Sequence, residues 1–115
     1  MAKEEIVPFK NETQILNSIE ELEKLFDERI SDYYQVKGVM HYRHNFVHYR
    51  SLLWKARNWV KKANVKEASD ELIELGKFLH EREEDLRGEK MQTQPMHVYQ
   101  YYGTVVDKIY NELHK

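Results

Sequence analysis

Apolar residues recur every three or four positions through most of the chain, and that spacing predicts four amphipathic helices. In the first, Ile15, Ile19, Leu22, Phe26, Ile30 and Tyr33 fall on one side. Asn11 is placed to cap its start, and Gly38 to stop it after about Lys37. Glu20, Glu21, Glu23, Asp27, Glu28 and Asp32 crowd its other faces. The second helix spans about 39–63, with Val39, Tyr42, Phe46, Tyr49, Leu53, Ala56 and Val60 as its core stripe and Trp54 and Trp59 to either side. Asn64 with Glu67 three residues on has the form of a capping box and opens a third helix. That helix carries Leu72, Leu75, Gly76, Leu79 and Leu86 on one face and ends near Gly88. A polar stretch follows, and Pro95 suits the first turn of a fourth helix. Its stripe, Val98, Tyr102, Val105, Val106, Ile109 and Leu113, is the cleanest of the four.

The first two connections are short, which favours antiparallel neighbours. No segment alternates with period two over a strand's length. The predicted fold is therefore all-α, an up-and-down four-helix bundle over residues 11–115, behind a short N-terminal arm, residues 1–10, in which Pro8 disfavours helix. A chain of 115 residues has room for one hydrophobic core. Its 33% of charged residues exceeds the usual quarter, which long helices accommodate because each needs only one apolar stripe. Gly76 and Gly103 fall inside predicted helices at about 1 kcal/mol each relative to Ala. Close helix approach or a tolerated irregularity accounts for them.

Composition narrows the chemistry. With no cysteine there is no disulfide, no thiolate nucleophile and no Cys-ligated zinc. No apolar run approaches the roughly 18 residues a membrane helix needs. Met1-Ala2-Lys3-Glu4-Glu5 lacks the basic-then-apolar pattern of a signal peptide. The expectation is a cytoplasmic protein without a membrane partner. There is no Gly-rich phosphate loop, and Ser18, Ser31, Ser51 and Ser69 stand in no nucleophile context. Nothing calls for a cofactor.

The formal net charge of −2 hides a segregation. Between Asp32 and Glu67 there is no Asp or Glu, while Lys37, Arg43, Arg50, Lys55, Arg57, Lys61, Lys62 and Lys66 all fall there. Helix two is thus basic between two acidic helices. Two readings follow. Its cations can be neutralised by the neighbouring helices. Alternatively they form a face for RNA or DNA, with Lys55, Lys61 and Lys62 on phosphate and Tyr or Trp for stacking.

Residues 43–48 read Arg43-His44-Asn45-Phe46-Val47-His48. This resembles the signature of the HEPN superfamily, which runs Arg, a polar residue, three further residues and His. Arg43, His44 and His48 match it. The resemblance implies metal-independent RNA cleavage to a cyclic phosphate, usually in a dimer whose paired motifs meet. In that chemistry His48 serves as general base or acid, Arg43 stabilises charge developing on phosphate, and His44 orients one or the other. The motif lies early and inside a helix, whereas many members carry it on a late helix. At 100° per residue Arg43 and His48 are about 140° apart, so Arg43 must swing its long side chain to meet His48.

His41, His44 and His48 project within about 60° of one another, away from the predicted core. His44 and His48 have the i, i+4 spacing of helical zinc ligands, but helix two offers no carboxylate to complete a set, so no metal site is assigned. Tyr101 falls off the fourth stripe and suits a contact surface.

The expected function is that of a small non-enzymatic bundle acting through self-association or by binding another protein or nucleic acid. Its size and lack of a stronger motif suit the accessory proteins of prokaryotes and phages. The alternatives are the HEPN-like ribonuclease using Arg43 and His48, and a basic-helix nucleic-acid binder without catalysis.

Overall fold

A computed structural model describes residues 11–34, 40–88 and 96–115, with residues 34 and 40–42 described by their backbone alone. Four helices follow in order: α1 Glu12–Tyr34, α2 Met40–Lys61, α3 Val65–Gly88 and α4 Met96–Leu113. Each packs on the next, and α1 also packs on α4, giving the up-and-down four-helix bundle that the spacing predicts. The expected arm over 1–10, the stop at Gly38, the Val39 and Tyr42 core positions, the His41 side chain and the helix-opening Pro95 lie outside the described residues.

The α2–α3 connection is the best-defined turn. Ala63 is left-handed at φ 56°. Its N–H donates to the Val60 carbonyl at 2.9 Å, and the Asn64 N–H donates to the Trp59 carbonyl at 2.9 Å. That pair of bonds is a Schellman motif, which closes α2. Asn64 Oδ1 then accepts from the Glu67 N–H at 3.1 Å and opens α3, as its place in the sequence predicts. At α1 the sequence expectation holds only in part. Asn11 accepts from the Ile15 N–H through its backbone carbonyl. Its side chain does not cap; it donates across the bundle to the Glu112 carbonyl and to Glu112 Oε2, at 2.9 and 2.6 Å. Ser69 Oγ and His114 Nε2 share a further hydrogen bond of 2.9 Å at this end.

The core joins Ile15, Ile19, Leu22 and Phe26 to Phe46, Leu53, Ala56 and Val60, then to Leu72, Leu75, Leu79 and Leu86, and to Tyr102, Val106, Ile109 and Leu113. Among the described residues five more are buried that the stripes omit: Glu23, Leu52, Ala68, Ser69 and Tyr99. They sit on the flanks of the stripes, because in a bundle each helix touches two neighbours and buries a wider arc than a single seam. Ile30, Tyr33, Val98 and Val105 are only half-buried at its margin. Phe46 is the hub of an aromatic cluster, its ring 5.4–6.1 Å from those of Phe26, Tyr33, Tyr49, Tyr99 and Tyr102.

Two consequences are measurable. Ala63 holds a conformation that costs an L-residue about 1–2 kcal/mol and a glycine nothing. After the extra freedom glycine gives the unfolded chain, Ala63→Gly raises stability by up to about 1 kcal/mol, seen as a higher denaturant midpoint with an unchanged slope. Burial pushes the Tyr49 hydroxyl up to about 12 and the Tyr99 hydroxyl higher still, from an ordinary 10.0. Below pH 10 both states hold these protons. Above it the unfolded chain releases them first, so stability is lost as pH rises from 10 through 12. Unfolding free energies across that window fall steadily in the native chain and less steeply in Tyr49→Phe.

Candidate binding face on the second helix

The basic stretch divides by residue type around α2. Arg43, Arg50 and Arg57 recur every seven residues and so lie along one flank. That flank meets α1. Arg57 bonds to Glu23 Oε1, while Arg50 lies 3.6 Å from Glu23 Oε2 and 2.5 Å from Asp27 Oδ1. Glu23 is only 2% exposed. The sequence places it among the solvent-facing acids of α1; the structure corrects that, because its position turns it toward the α1–α2 seam and two guanidinium groups. A buried carboxylate is tolerable there because it is paired. Internal neutralisation therefore accounts for Arg50 and Arg57.

The lysines are different. Lys55, Lys61 and Lys62 are exposed, and among the described residues none has an ion-pair partner. Lys55 and Lys62 share a hollow of about 410 Å³ with Trp54, Asn58, Trp59 and Glu71. Lys62 Nζ sits 5.2 Å from the centre of the Trp59 ring. Trp54 is 53% exposed, and Val47, one heptad earlier on the same side, is 44% exposed. Lys61 lies instead beside Arg57, Glu20 and Leu16 in a smaller hollow at the α1 seam. The three lysines singled out by sequence thus form a pair and an outlier.

The three-residue connection builds the hollow. It reverses the chain within Lys62, Ala63 and Asn64, so the last turns of α2 stand beside the first turns of α3. Trp59 and Lys62 thereby come next to Glu71. Trp54 and Trp59 could be suspected from their positions beside the core stripe. Asn58 and Glu71 could not, since neither has a signal until α3 is laid against α2.

The motif residues separate. His44 and His48 are exposed on the outward face of α2. The His48 ring meets Phe78 of α3 edge-on, centres 4.9 Å apart. Arg43 is half-buried on the arginine flank. One chain therefore brings the two histidines onto the same face and turns Arg43 away from them. Among the described residues no three His, Asp or Glu side chains are grouped to hold a metal ion. No described helix is long and apolar enough to cross a membrane.

A second concavity, about 510 Å³, lies between α3 and α4 over Gly76 and Gly103. A Cβ at Gly76 would stand 3.8 Å from Val106 Cγ1, an ordinary contact, and one at Gly103 would meet nothing within 4 Å. Close helix approach therefore does not require either glycine. Gln100 Nε2 donates to Glu83 Oε1 at 3.0 Å across this groove. Tyr101 is 55% exposed, as its place off the stripe predicts.

Compared with family models, curated proteins and solved structures, the chain matches none.

The division between arginines and lysines has a direct test. Glu23→Ala removes the acid that Arg57 and Arg50 share, while both guanidinium groups keep access to water and Arg50 keeps Asp27, and it lowers stability by about 1.5–3 kcal/mol. Lys55→Ala changes it by no more than about 0.5 kcal/mol. Urea unfolding of both variants measures the contrast.

Proposed function

We propose that this bundle acts without catalysis, by contact, and that its working surface is the outward face of α2, which receives a polyanionic macromolecule. One observation carries the reading: while the α1 acids take Arg50 and Arg57, Lys55 and Lys62 have no ion-pair partner among the described residues and stand beside an exposed indole. An exposed apolar side chain among free charges marks a contact surface more than a solvated one. Self-association through the same face is disfavoured, because it would set one row of lysines and histidines against another.

The ribonuclease implied by the resemblance would use the same face, since His44 and His48 share it with the lysines. It differs in needing Arg43 to reach a scissile phosphate from the α1 flank, or from a second copy. RNA incubated without metal separates the two readings: contact alone leaves it intact at every pH. Cleavage lost in His48→Ala would replace the contact reading with the catalytic one.

For contact itself, the protein should be retained on immobilised heparin at low salt and released as salt rises. About three phosphate or sulfate contacts give a log–log slope near −2. Lys55→Ala combined with Lys62→Ala should elute earlier, whereas Lys24→Ala, whose ammonium already lies 3.9 Å from Glu20 on α1, should not. Passage of the native chain without retention at low salt would refute the reading.

A further inference from the structure

Resting on that reading, we infer that the hollow of Trp54, Lys55, Asn58, Trp59, Lys62 and Glu71 is a seat for a base of single-stranded nucleic acid, with the flanking phosphates held by Lys55 and Lys62. The lining decides between occupants. A phosphate alone is a poor guest inside, because the Glu71 carboxylate lines the same hollow and repels it. A planar base is a good one. It offers a π-face to Trp54, whose indole is 53% exposed, and amino donors or ring acceptors to Glu71 and Asn58. The face of Trp59 is already shared with the Lys62 ammonium, 5.2 Å from its centre, so Trp54 provides the open stacking surface and Lys62 a cation at the rim.

The alternatives use less of what is there. A duplex keeps its bases stacked and could reach only the lysines. An acidic protein or a sulfated polysaccharide would likewise leave the indole idle. A membrane surface would engage Trp54 and Val47, but the outward face of α2 also carries His44, Ser51 and Asn58, and its apolar stripe is spent on the core.

The chain has two tryptophans and both line the hollow, so indole emission reports on this site alone. The full-length protein is titrated with a single-stranded oligonucleotide of about 15 nucleotides, long enough for one such site. The same titration is run with its duplex, with heparin and with anionic phospholipid vesicles. The single strand is expected to quench emission and to bind more tightly than the duplex. Trp54→Ala should weaken single-strand binding about tenfold or more and leave heparin retention unchanged, while Trp54→Phe recovers most of the loss. Tyr101→Ala, an equally exposed aromatic on α4, should bind as the native chain does. Equal binding of strand and duplex, an unaffected Trp54→Ala, or emission changed by vesicles and not by the strand would each overturn the inference. The wider polyanion reading would survive the first two of these and fails separately, when heparin itself is not retained.

Discussion

Everything distinctive about this bundle turns on one buried carboxylate. Glu23 lies at the seam between α1 and α2, out of water, where it is held by Arg57 and approached by Arg50. Removing a charge from water is unfavourable unless an opposite charge and hydrogen bonds replace the solvent. Arg57 supplies a hydrogen bond to Oε1, and Arg50 supplies an opposite charge 3.6 Å from Oε2, which holds the arginine flank of α2 against α1. The seam also sorts the cations of α2: those with planar, forked heads are drawn inward to the acids, and those with flexible ammonium heads remain outside. The outward face stays basic because α2 has no acid of its own and Lys55 and Lys62 are not drawn into that seam.

The rest of the interior is conventional for a bundle but unusually aromatic. Phe26, Phe46, Tyr49, Tyr99 and Tyr102 meet in the middle, their rings mostly tilted or edge to face. Their hydroxyls are managed by cations at the periphery. Arg29 donates to Tyr102, and Arg82 to Tyr99. An apolar centre edged by a guanidinium group beside a buried oxygen recurs at the α1–α2, α1–α4 and α3–α4 seams. α4 thus joins the bundle through tyrosines as much as through its aliphatic stripe.

The architecture was legible because α-helical spacing is a local property, and the three-and-four rhythm of Ile15 to Phe26 or Tyr102 to Leu113 survives in a single sequence. So did the Asn64 cap, whose chemistry is complete within four residues. What escaped depended on a neighbouring helix. Glu23 looks like one acid among many until α2 is set beside it. Leu52 and Tyr99 look peripheral until a second neighbour covers them. Asn11 is legible as the residue that precedes α1, but its side-chain partner is not, because Glu112 is 101 positions away. Of the candidate site, the lysines were visible as a composition anomaly. The hollow was not, since it needs Glu71 from α3 and a turn that aligns the two helices.

One end of the molecule ties together stretches far apart along the chain. Asn11 bonds to Glu112, Ser69 bonds to His114, and the Lys115 ammonium returns to Glu112 at 2.8 Å. The opening turn of α1 and the closing turn of α4 therefore lack separate freedom to fray. Melting either strips a partner from the other, so their amide protons should exchange with solvent in one shared opening event and not as two independent termini.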